Sequence, residues 1–253
     1  LKLRHDYVLL AVPTAALDVV LNRVRFASDT VPVLCCKGLL PDGAVPSSLL
    51  SNAHSFAVLS GPGFADELAK GLPTVHSLGV SDASMGPKAA QDLSTSTFRL
   101  YWSDDPTGIQ VCGALKNILA IATGIAWGLD LGENARASLL VRGIKELSDG
   151  LALLGGDAET VTSPAGLGDV LLTCSSPKSR NFRFGLEIAG GAAPKEAHAA
   201  LGTVEGLAAL EGFLAVVPRE QAPIASTLHD ILHGGLGPND AVARLMHRPL
   251  ARE

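Results

Sequence analysis

The chain has 253 residues, 47% of them hydrophobic and 18% charged, with a formal charge of -5. That is ample for one large domain or two small ones, and the absence of Lys/Arg runs argues against a nucleic-acid surface, which needs clustered positive charge. No run of 18 or more consecutive apolar residues occurs, and Lys2, Arg4, His5 and Asp6 stand where a signal peptide would need an apolar core. No membrane span is therefore expected, and the cytoplasm is the default location. Cys35, Cys36, Cys112 and Cys174 form no CxxC pair and read as buried or strand-end thiols.

Tyr7–Val12 is a continuous apolar run that ends at Pro13 and leads into helix-like Ala15–Val24, the pattern of a buried strand feeding a helix. Val31–Cys36, Phe56–Leu59, Val75–Val80 and Phe98–Trp102 repeat the strand signature, with helices predicted over Phe64–Lys70 and Ser84–Leu93. The fold class this implies is α/β, with parallel strands at its start. From about Pro106 the strand pattern stops. Gly108–Trp127 lines up Ile109, Cys112, Leu115, Leu119, Ala122 and Ala126 near one face, and Asn134–Leu154 is a second long helix. Shorter helices are expected over Leu167–Cys174, Arg180–Ala189, Val204–Val216, Ile224–His233 and Asn239–Met246. The domain boundary falls near Ser103–Asp105, with an α/β domain over 1–104 and an all-helical domain over 105–253.

Four short segments combine glycine, which lets backbone approach a ligand, with polar or charged residues. Lys116 sits in an otherwise apolar, Ala-rich run, where it either reaches water from a helix face or occupies a cleft as a general acid/base. Asn117 beside it could orient a hydroxyl. Lys37 follows a strand end, the edge at which open α/β sheets bind ligands, although a surface loop lysine reads the same way. Ser179-Arg180-Asn181 opens a helix, so free N–H groups and a guanidinium could converge on a small phosphate. Capping alone accounts for Ser179 but not for its two followers. Asp169 starts an apolar helix, where the helix dipole favours it whether or not it partners Lys116. His229 and His233 spell H-D-I-L-H, close to H-E-x-x-H, but no third ligand is evident, so no metal site is assigned.

Taken together, Ser60–Ala65, Gly113–Asn117, Ala165–Asp169, Ser179–Asn181 and Val204–Gly206 resemble, in order, the S-G-P-[ST]-F-A, G-A-[LV]-K-N, A-G-L-G-D, S-R-N and V-E-G motifs of the NAD(P)-dependent glycerol-3-phosphate dehydrogenases. The resemblance runs from Asp6 to Arg248-Pro249-Leu250. It implies a Rossmann-type sheet followed by an all-α C-terminal domain. It also implies reversible hydride transfer between NAD or NADP and C2 of sn-glycerol 3-phosphate, giving dihydroxyacetone phosphate, commonly in the service of phospholipid synthesis. Under it, Lys116 is the general base, Asp169 tunes it and Lys37 adds positive charge. Gly61, Gly63, Asn117 and Thr173 face the substrate, and Ser179, Arg180 and Asn181 clamp its phosphate. Pro13, Lys37, Ala65, Arg180, Thr203 and Glu205 face the cofactor.

Two departures bear on this expectation. Gly63 stands where the family has a hydroxyl residue, which should weaken substrate affinity. No G-x-G-x-x-G turn joins a strand to a helix, so the pyrophosphate-binding part of the Rossmann domain is expected to lie outside these residues, and with it the choice between NAD and NADP. A β-hydroxyacid dehydrogenase of related architecture is one alternative, and a catalytically silent fragment acting as a binding or oligomerisation module is another. A homodimer through the Ala/Leu/Gly-rich helical half is compatible with the composition.

Overall fold

The computed structural model of the protein describes residues 2–3, 5–50 and 53–247; Arg248-Pro249-Leu250 lie outside them. In chain order the elements of the first half are β1 (Lys2–Leu3), β2 (Tyr7–Leu10), α1 (Thr14–Leu21), β3 (Arg25–Phe26), β4 (Val31–Leu34), β5 (Ala57–Ser60), α2 (Ala65–Ala69), β6 (Thr74–Val80), α3 (Gly86–Leu93) and β7 (Phe98–Ser103). Helices follow: α4 (Pro106–Gly128), α5 (Gly132–Leu153), α6 (Asp169–Cys174), α7 (Arg180–Ala189), α8 (Pro194–Leu201), α9 (Glu205–Val216), α10 (Pro223–His233) and α11 (Pro238–Met246). The α/β character of the first half and the helical character of the second were both expected.

The main sheet has the order β2-β4-β5-β6-β7, and β1 pairs with β3 in a separate two-stranded ladder. β2, β4 and β5 run parallel, so their carboxyl ends share one edge of the sheet. β6 then runs antiparallel to β5, which makes the sheet mixed rather than wholly parallel. The cause is the connection: α2 has five residues and rises only about 8 Å, too little to carry the chain back along a strand. The chain therefore turns at the carboxyl edge and starts β6 there, with the Thr74 hydroxyl donating to Pro62 O at 2.6 Å. β2 was expected to be a buried strand. Among the described residues it pairs on one side only, with β4, and leaves Leu9 54% exposed.

α4 is the axis of the helical half and is buried along nearly its whole length. Asp105 caps it by accepting from Gly108 N at 2.8 Å, and the same carboxylate ties in Asp157 N and the Thr160 hydroxyl. Among the described residues α4 alone is long and apolar enough to cross a bilayer, but 94% of that stretch lies inside the fold. α7 crosses α4 at backbone contact: a Cβ on Gly124 would lie 2.1 Å from Phe182 O, and one on Gly185 2.2 Å from Ile121 O. This approach sets the position of everything at the start of α7. α8 was not expected; its signals are Pro194 in the first turn and Gly202 at φ 72° as the stop.

Candidate active site

Asp169 is placed by an unusual turn. Pro164–Gly168 winds as one π-helical turn before α6, with the Ser163 hydroxyl accepting from Gly166 N and Ala165 N donating to the Ser77 hydroxyl of β6. Gly166 lies so close to Val161 that an added Cβ would stand 2.1 Å from its carbonyl oxygen. Such turns recur where a helix must aim a particular side chain. Here the turn carries Asp169 inward to 1% exposure, with Thr173 one helical turn on.

Three elements meet at that carboxylate. Lys116, from the buried face of α4, places Nζ 2.6 Å from Asp169 Oδ1. Lys37, three residues past β4, places Nζ 2.9 Å from Asp169 Oδ2 and also donates to Gly61 O at 3.2 Å. Thr173 Oγ1 accepts from Lys116 Nζ at 3.1 Å and donates to Asp169 Oδ1 at 3.1 Å. Lys116 is only 6% exposed, which removes the reading of it as a solvated helix-face lysine. Burial, with Lys37 opposing, brings its pKa down from 10.5 to about 8. Burial pushes Asp169 up, but the two ammonium groups outweigh it and hold the carboxyl below its ordinary range. Lys37 goes the other way: burial lowers it, and Asp169 more than restores it.

The cleft beside this cluster is lined by Gly63, Asn117, Thr203 and Glu205 and by the opening of α7. Ser179 Oγ accepts from Phe182 N, so its hydroxyl serves as the helix cap. Asn181 is buried and bridges elements: Nδ2 donates to Asn117 Oδ1 at 2.8 Å, and Oδ1 accepts from Gly206 N at 2.9 Å. Asn117 Nδ2 in turn donates to Gly113 O. Both asparagines therefore spend most of their hydrogen bonds holding α4, α7 and the start of α9 together. Both also line the cleft, where the sequence assigned Asn117 to a substrate hydroxyl and Asn181 to the phosphate. Arg180, by contrast, is exposed in the cleft and its guanidinium donates to no acceptor among the described residues. Glu205 is raised by burial despite the cations Lys37, Lys116 and Arg180 around it.

Pro13 and Ala65 do not line this cleft. Pro13 precedes α1 at the carboxyl edge of β2, and Ala65 begins α2 beside cleft-lining Phe64. Pro13, Lys37 and Gly61 thus follow the carboxyl ends of three adjacent parallel strands, the edge where open sheets hold nucleotides. The arginine, hydroxyl and carboxylate of Arg180, Thr203 and Glu205 are a donor and acceptor set suited to a polar cofactor.

Two residues went unnoticed in the sequence. Lys178 lines the cleft, pairs with Asp66 at 3.0 Å and Glu67 at 2.7 Å, and lies 5.4 Å over the Phe64 ring, joining the two halves of the chain across the mouth. Its position next to Ser179-Arg180 was the available signal. His76 is buried against Gly61 and Gly63, where added Cβ atoms would come within 2.8 and 2.9 Å of it, and burial lowers its pKa to about 4. The imidazole therefore fills the room beside Gly63 that a hydroxyl side chain would need. Nothing in the sequence pairs these residues, because the pairing depends on β6 running antiparallel.

The chain matches two family descriptions, NAD-dependent glycerol-3-phosphate dehydrogenase N-terminus over residues 3–86 and C-terminus over residues 105–243. It is 42% identical over 254 residues to glycerol-3-phosphate dehydrogenase [NAD(P)+] of Rhizobium etli, covering 97% of this chain and 77% of the relative. The crystal structure of glycerol-3-phosphate dehydrogenase from Coxiella burnetii superposes with a TM-score of 0.88 at 38% identity, over 96% of this chain and 77% of that one. A Plasmodium falciparum structure with the same activity in its name shares the fold at a TM-score of 0.87 and 19% identity, over 98% of this chain and 74% of that one. The buried lysine-carboxylate cluster therefore sits in a chain that belongs to the NAD-dependent glycerol-3-phosphate dehydrogenase family.

Proposed function

We propose that Lys116 moves the proton in an NAD(P)-linked interconversion of sn-glycerol 3-phosphate and dihydroxyacetone phosphate, the activity named for the relatives. The nicotinamide, when bound, supplies the acceptor for the hydride leaving C2. The protein's own task is then to take the proton from the C2 hydroxyl as the carbonyl forms. Lys116 suits it because a lysine near pH 8 is present in both protonation states close to neutrality. Asp169 and Thr173 fix the direction of Nζ. Lys37 keeps a second positive charge beside the oxygen that gains negative charge as the carbonyl is reduced.

The uncommitted Arg180 guanidinium and the first N–H groups of α7 hold the phosphate, since a helix start and a planar cation both favour an oxyanion. Pro13, Lys37, Ala65, Arg180, Thr203 and Glu205 are the residues assigned to the cofactor, and Gly61, Gly63, Asn117 and Thr173 those facing the substrate. A cytoplasmic location and pairing of two copies through the helical half belong to the same reading; α5 presents Val141 and Leu153 to the surface, 65% and 48% exposed.

The observation that carries the proposal is the burial of Lys116 between Asp169 and Lys37. Its test is oxidation of NADH and of NADPH by the purified protein with dihydroxyacetone phosphate and, separately, with dihydroxyacetone. Turnover confined to the phosphorylated ketone is expected. Equal rates with both ketones would remove the phosphate site from the account.

A further inference from the structure

Away from the cleft, the fold supplies what the H-D-I-L-H segment lacked. His229 and His233 lie one turn apart on α10, with ring centroids 4.8 Å apart. Glu211, on the neighbouring helix α9, brings Oε1 to 3.2 Å from His233 Nε2 and 4.0 Å from His229 Nε2. One donor atom from each of the three lies within 4.8 Å of the others. We propose that Glu211, His229 and His233 form a surface site for a divalent transition metal of the zinc class, with its remaining position open to water.

The geometry needs little adjustment. Zinc bonds of about 2.0–2.2 Å at tetrahedral angles hold donor atoms about 3.3–3.5 Å apart. The three side chains are 53%, 28% and 54% exposed and can close the remaining gap by rotation. Two imidazoles and a carboxylate are a ligand set that zinc takes in open sites. His229 Nε2, the nitrogen nearer Glu211, would be its ligand atom; Nδ1 lies 3.4 Å from Arg219 Nη1 and 3.6 Å from Asp230 Oδ1, the latter beyond hydrogen-bond distance. Asp230 is itself committed to Arg219 and Arg244. The cysteines offer a poor alternative: Cys36, Cys112 and Cys174 are buried, and burial pushes their thiols up to about 11, 12 and 12.

Titration of the untagged protein with zinc chloride in a calorimeter tests this, beside His233→Ala and Glu211→Gln. One zinc per chain is expected at saturation, with affinity at least tenfold weaker in each variant. The metal-free variants should melt with wild type and reduce dihydroxyacetone phosphate at its rate, since neither residue touches the cleft. Absence of zinc binding by the wild type, or equal affinity in all three proteins, would overturn the assignment.

Discussion

The molecule contains the same charge arrangement twice, in opposite surroundings. Asp169 stands between Lys37 and Lys116 with 1% of its side chain exposed; Asp230 stands between Arg219 and Arg244 with 25% exposed. In both, the carboxyl is held below its ordinary range by its cations, against the upward push of burial. The difference lies in the partners. The surface arginines keep their charge under all working conditions, and water screens the cluster. In the cleft two ammonium groups share one carboxylate with little water, and Lys116 yields, falling to about 8. Burial turns an ion-pair motif that is merely sticky on a surface into one whose lysine can release its proton near neutral pH.

Removing the reactive member should have the largest effect. Lys116→Ala is expected to lower kcat by about 10²–10⁴-fold, the usual worth of a positioned acid/base, while leaving NADH affinity near wild type. Near-wild-type turnover would remove Lys116 from the mechanism. Breaking the two carboxylates separately sharpens the contrast. Asp169→Asn leaves the buried Lys116 and the half-buried Lys37 uncompensated and should cost roughly 3–5 kcal/mol in urea unfolding, while Asp230→Asn should cost about 1 kcal/mol or less. Equal losses would show that burial does not distinguish the clusters. The sign with pH also follows. Asp169 is depressed in the folded state, so its stabilisation is present above the ordinary carboxylate range and fades as pH falls through the folded value. Asp169→Asn should lose that dependence.

Much of this was readable beforehand because it is local. The strand and helix runs, the Gly-rich segments and the order of the five motifs lie along the chain, and Lys37, Lys116, Asp169 and Arg180 were all singled out from them. What stayed hidden depends on which elements meet. Whether Lys116 faced water or a cleft turned on α6 and α7 packing over α4. The bonds of Asn181 to Asn117 and Gly206 were hidden because those partners are far off in sequence. The His76–Gly63 fit and the Glu211–His233 approach likewise join separate elements. The domain limit near 104 rests on the change of pattern along the chain, and the roles of Pro13 and Ala65 on the resemblance alone.

Smaller effects test the cleft's frame. Arg180→Ala should raise the KM for dihydroxyacetone phosphate with a loss of about 1.5–3 kcal/mol, the worth of a charged hydrogen bond, and little change in kcat. An unchanged KM would take Arg180 out of the phosphate site. Gly185→Ala pushes α7 off α4 where a Cβ would meet Ile121 O, and should destabilise the fold by about 1–3 kcal/mol and lower kcat through displacement of the start of α7. Unaltered unfolding would mean that the crossing tolerates a methyl group.

The most direct measurement is the pH profile of kcat/KM for sn-glycerol 3-phosphate oxidation, in wild type and in Lys37→Met. Oxidation needs neutral Lys116, so the rate should climb with pH and level off near pH 8. Taking away the opposing Lys37 charge should move that break upward. A profile flat between about pH 7 and 9, or a break that stays in place when Lys37 is removed, would contradict a buried Lys116 tuned by its two neighbours.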